Sequence, residues 1–164
     1  MATKRSGGAG VDWFCPQGAR GAVASLAAGA AVTALDAAIS DAKTSQAYGA
    51  GVLVGLRAWI TVYSGNAPLG AVEAYCMILP TGMAVPALLT EANRKTAERY
   101  LWWSAQITYT AASTTLFQRE IVLKSVRRFD TADRLVLVVI NRGTAAFSAA
   151  GACDTMIDAY VRED

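Results

Sequence analysis

The chain has 164 residues, a net charge of +2 and no histidine. That length fits one domain. The small charge argues against a nucleic-acid binder driven by total charge, and the missing histidine removes the commonest general base and metal ligand.

Hydrophobic residues make up 54% and charged residues 17%, against about a quarter charged in soluble domains. Such a composition favours a protein that buries part of its outside against copies of itself. Alanine and glycine inflating the apolar count is the plainer reading of the same figures. Cys15, Cys76 and Cys153 are odd in number and far apart, which predicts buried free thiols in a reducing compartment rather than disulfides or a metal site.

Residues 1–19 read as a flexible N-terminal arm. Lys4, Arg5, Ser6 and a glycine-rich run dominate its start, and Trp13 and Phe14 are placed to anchor its end on the fold or on a neighbouring subunit. Gly7-Gly8-Ala9-Gly10 lacks the strand before it and the Lys-Ser/Thr after it that a phosphate loop needs, so it reads as a linker. The folded domain then spans 20–164. Residues 20–48 allow two strands, 21–28 and 31–39, or an alanine-rich helix with Val32, Leu35 and Ile39 on one face; we read strands. The apolar run Ala22 to Ala34 lies too deep and is too weakly hydrophobic for a signal peptide, and no stretch reads as a membrane helix. The expectation is a soluble intracellular product with no membrane partner.

From Gly51 the pattern has period two. Val52, Val54, Leu56, Ala58, Ile60 and Val62 form one face, with Leu53 as the exception, which predicts a strand over 51–63. Residues 64–70 are a turn by composition. Val72, Ala74, Cys76 and Ile78 give the inward face of a strand over 71–79. Residues 87–99 follow Pro86 and read as a helix with Glu91, Lys95, Glu98 and Arg99 on its polar face; the Glu91–Lys95 pair is worth ~0.2–0.5 kcal/mol.

Trp103, Ala105, Ile107 and Tyr109 form the inward face of a strand over 101–110, which leaves Trp102 as the tryptophan expected to be exposed at a subunit contact or ligand surface. A strand over 115–129 carries Lys124, Arg127 and Arg128. The turn Asp130 to Asp133 leads into a buried strand over 134–141, with the β-branched and leucine run Leu135 to Ile140. A last strand covers 155–162, with Ile157, Ala159 and Val161 inward. The prediction is an all-β fold: an antiparallel eight-stranded β-sandwich of jelly-roll type, with one short helix in a middle connection.

No residue set points to catalysis, and no cofactor is expected. Asp130 and Asp133 read as turn formers, Asp154 and Asp158 lack a third clustered ligand, and no Gly-x-Ser-x-Gly elbow is present.

Lys124 to Asn141 combines a basic strand, a short acidic turn and an apolar strand. It resembles the late strands of single jelly-roll capsid proteins of small single-stranded DNA viruses with circular genomes. Gly55 to Val62 is similar to a mid-domain strand of those proteins, and Leu101-Trp102-Trp103 opens a strand after a variable loop as theirs does. The resemblance covers residues 50–164. It implies a structural protein that self-assembles into an icosahedral shell around a small genome and resides in the virion. Its partners would be copies of itself and viral single-stranded nucleic acid. The residues that would meet that nucleic acid are Lys4 and Arg5 from the arm, Arg20 just beyond it, and Lys124, Arg127 and Arg128 from the late strand.

One departure stands out. Such proteins begin with a long arginine-rich arm, and here there are only Lys4, Arg5 and, further on, Arg20, enough to neutralise about three phosphates in a weak, salt-sensitive contact. The alternatives are a monomeric carbohydrate- or peptide-binding sandwich using Trp59, Tyr63 or Trp102, and the coat protein of a small RNA virus or satellite.

Overall fold

The uninterrupted apolar run Leu135 to Ile140 lies at the centre of a sheet that is covered on both faces. The computed structural model describes residues 12–14, 21–22, 26–39, 49–63, 70–109, 116–123, 126–144, 146 and 153–163. Side chains are described for these except at 12–14, 21–22, 56–63, 107, 109, 116–123, 153–160 and 163. The described residues form ten strands and one α-helix: β1 (Asp12–Phe14), β2 (Gly21–Ala22), β3 (Ala31–Ala38), β4 (Gly51–Tyr63), β5 (Gly70–Leu79), α1 (Glu91–Ala97), β6 (Leu101–Tyr109), β7 (Leu116–Leu123), β8 (Arg127–Phe129), β9 (Arg134–Asn141) and β10 (Cys153–Glu163).

Two antiparallel sheets result. The first runs β1-β10-β4-β7, with β2 also on β10 and β8 also on β4; the second runs β3-β9-β5-β6. Between them lies a core of Leu53, Phe129 and Val161 from the first sheet and Leu35, Val72, Ala74, Cys76, Ile78, Trp103, Leu135, Leu137 and Val139 from the second. The expected inward set of β5 is present in full. Cys76 is fully buried, and burial pushes its thiol far above the ordinary range.

The other face of the second sheet is also covered. Met77, Leu79, Val136, Val138 and Ile140 pack beneath Leu88 and Ala97 of the β5–β6 connection. This explains β9: with apolar layers on both sides, it cannot alternate polar and apolar residues. Burying Leu88 alone is worth roughly 1.5–3 kcal/mol.

The helix is shorter than the predicted 87–99. Thr90 caps it, its hydroxyl accepting from the Asn93 backbone N–H at 3.2 Å, and Glu98–Tyr100 continue as a 3-10 turn. The Glu91–Lys95 pair forms at 3.0 Å, with both ends exposed.

The described part of 20–48 is strand and turn, not helix, although the first strand is only Gly21–Ala22. Within the stretch read as an arm, Asp12–Phe14 pairs with Val161–Ala159 of β10. The predicted strand 115–129 divides into β7 and β8, which pair successively with β4. Of the cysteines, Cys15 lies outside the described residues, as does the side chain of Cys153.

Register shifts account for the broken alternations. The β10–β4 register steps from Gly55 to Leu53 and passes over Val54, so Leu53 reaches the inter-sheet core. The β5–β6 register passes over Trp102. The expectation that Trp102 is exposed is therefore corrected: the bulge turns both Trp102 and Trp103 into the core, where they are 8% and 7% exposed.

The Asp130–Asp133 turn is built as its composition predicts. The Asp133 N–H donates to the Asp130 carbonyl at 3.0 Å, and the Asp133 carboxylate accepts from the Asp130 N–H at 2.9 Å. Ala132 has φ = 70°, a conformation that costs a non-glycine residue about 1–2 kcal/mol. Ala132→Gly is expected to raise stability by up to ~1 kcal/mol after its larger unfolded-state entropy is allowed for. A urea melt with an unchanged slope checks this.

Candidate nucleic-acid interface

Six cations were singled out from the sequence. Lys4, Arg5, Arg20 and Lys124 lie outside the described residues. The remaining two, Arg127 and Arg128, are neighbours on β8, and strand alternation sends them to opposite faces.

Arg127 pairs in register with Leu53, and Phe129 with Gly51. Leu53 and Phe129 both enter the inter-sheet core, so Arg127 occupies the core-side row. Its side chain is half-buried, and its guanidinium donates to the Arg99 carbonyl in the 3-10 turn before β6. This bond ties the edge of the first sheet to the β5–β6 connection. Arg99, exposed, lays its own guanidinium over the Tyr100 ring at 4.6 Å.

Arg128 is exposed and pairs with Val52. On the other side of β4, Arg162 pairs with the same Val52 and is also exposed. The two arginines thus stand two strands apart, roughly 10 Å, on the outer face of the first sheet. Val52 between them is 2% exposed. The row thus places two exposed arginines on one face, on strands either side of β4.

Arg162 is not one of the six cations to which the sequence points. The signal was present: the alternation that sends Val161 inward sends Arg162 outward. Its meeting with Arg128 depends on the β8–β4–β10 register, which the sequence does not display. The structure therefore separates Arg127 from Arg128 and joins Arg128 to Arg162.

Trp102, buried, offers no stacking surface; the side chains of Trp59, Tyr63 and Tyr109 are not among those described. No group of three or more potential metal ligands occurs among the described residues. No described helix is long and apolar enough to cross a membrane.

No protein-family model matches the chain, and no curated protein does. Among solved structures, the chain is similar to a chain in the structure of infectious bursal disease virus, Gx strain. The identity is 8% and the TM-score 0.46, with 94% of this chain and 32% of that chain covered. The present chain thus spans about a third of that chain's length. A likeness at that score carries no functional argument.

Proposed function

We propose that this chain is a structural, non-enzymatic protein: a jelly-roll capsid subunit that assembles with copies of itself around a small single-stranded genome. The carrying observation is the strand pairing. If β1 and β2 are grouped as one strand, and β7 and β8 as another, the ten described strands reduce to eight. They pair first with eighth, second with seventh, third with sixth and fourth with fifth. Such nested pairing is what a long hairpin gives when it rolls into two sheets, and it supports the jelly-roll reading.

Jelly rolls serve as capsid domains and also as lectins, and a fold alone does not assign a function. The resemblance of Lys124 to Asn141 to capsid proteins of circular single-stranded DNA viruses favours the shell. In such a shell each contact is modest, and closed symmetry makes the sum large. The outer face bearing Arg128 and Arg162 would meet the genome, supplementing Lys4, Arg5, Arg20 and Lys124.

Binding would then be mainly electrostatic. Removing two phosphate contacts should flatten the plot of log affinity against log salt by about 1.4, at ~0.7 per single-strand phosphate. The combined variant Arg128→Gln, Arg162→Gln is expected to show this with a labelled oligothymidine in fluorescence anisotropy. An unchanged slope would remove these residues from the interface. Nuclease protection tests the cargo: protected single-stranded DNA supports the reading, protected RNA transfers it to an RNA-virus coat, and unprotected material in a monomeric preparation contradicts it.

A further inference from the structure

Beneath α1, on the outer face of the second sheet, lies a cavity of about 270 Å³. Met77, Leu88, Ala97 and Leu101 supply its apolar lining. A cavity of roughly 150 Å³ holds benzene, so this one has room for a single ring with a short tail.

The polar groups are arranged unevenly. Tyr75, also in the wall, donates its hydroxyl to Glu73 Oε2 at 3.0 Å, and Arg142 Nε donates to the same oxygen at 3.0 Å. Glu73 is therefore already matched by a cation. Burial first, and then Glu73, raise the Tyr75 pKa, while Arg94 and Arg142 act in the opposite direction; both guanidiniums thus lie near that hydroxyl. Tyr75 stays neutral and remains a donor to Glu73.

Arg94 is the unmatched charge. It is half-buried, and its Nη1 reaches only the Leu88 and Leu89 carbonyls, at 3.3 and 3.4 Å. Among the described residues it has no carboxylate partner. At the mouth, Lys95 is taken by Glu91 at 3.0 Å, and Glu98 is exposed, where solvent screens it. An apolar floor beside a half-buried, unmatched guanidinium selects for one chemistry.

We propose that the cavity beneath α1 binds a small molecule with a compact apolar body and a single carboxylate head, the body against Met77 and Leu101 and the head on Arg94. The assignment stands apart from shell formation, since it rests on the β5–β6 connection and one face of one sheet.

The test is calorimetric titration of the full chain with three molecules of one shape: 3-phenylpropanoate, 3-phenylpropanol and 3-phenylpropylammonium. The carboxylate is expected to bind at least tenfold more tightly than the other two. Arg94→Gln is expected to abolish that preference, and Lys95→Gln, which removes a cation already paired, to leave it intact. Equal binding of all three molecules, or none by the carboxylate up to its solubility, would overturn the proposal. Because the ligand series needs no variant, the outcome does not depend on whether Arg94→Gln folds.

Discussion

Asn141→Leu is expected to lower the unfolding free energy by about 2–5 kcal/mol. Asn141 is the polar residue at the end of β9, fully buried at 0% exposure. Its Nδ2 donates to the Leu26 carbonyl at 3.0 Å, and its Oδ1 accepts from the Gly143 N–H at 2.8 Å. Its backbone completes the tie: the Gly29 N–H donates to its carbonyl at 2.8 Å, and its own N–H donates to the Ala30 carbonyl at 3.0 Å. Leucine keeps the branched outline in a bulkier form, and it leaves the Leu26 carbonyl and the Gly143 N–H without their partner. Each stranded group costs about 1–3 kcal/mol, a large share of a total that is usually 5–15 kcal/mol. A denaturant midpoint that drops with an unchanged slope is the expected readout. A loss below ~1 kcal/mol would show that both loops relax toward water, and that Asn141 does not hold them.

Gly70→Ala is expected to cost about 3 kcal/mol or more. Gly70 opens β5 with φ = 147°, and a Cβ built there would stand 2.4 Å from the Gly143 Cα. The obstacle is backbone and cannot rotate away. It is pinned, because the Arg142 N–H donates to the Ala71 carbonyl at 2.8 Å while Asn141 holds Gly143. Forced overpacking costs about 1–3 kcal/mol even where side chains can give, and a left-handed-side φ adds to it. Thermal or denaturant unfolding measures the effect. Since Gly143 belongs to both sites, the double variant with Asn141→Leu should fall short of additivity by at least ~0.5 kcal/mol. Full additivity would show that the two sites do not share that segment.

Much of the sheet structure was legible because apolar alternation reports burial directly. Val72, Ala74, Cys76 and Ile78 announced the inner face of β5, and Leu135 to Ile140 announced a strand with no solvent face. What escaped was set by single residues and by long-range register. Val54 and Trp102 each shift the alternation by one position, which no period-two count foresees. Trp102 was placed on the wrong face for that reason. The layer formed by 80–100 escaped too, since its cover over Met77 and Val136 is tertiary. Part of the apolar surplus in the composition goes into that second cluster, not into an exposed contact face. At the candidate interface, the opposite faces of Arg127 and Arg128 follow from alternation, whereas the Arg128–Val52–Arg162 row needed three strands in register.

Self-assembly is tested by sedimentation velocity of the purified chain across salt and pH, with negative-stain microscopy of the same samples. A shell protein gives a fast-sedimenting species, far heavier than the 17.2 kDa chain, seen as uniform closed particles. A single monomeric boundary under every condition, with no particles on the grid, would contradict it.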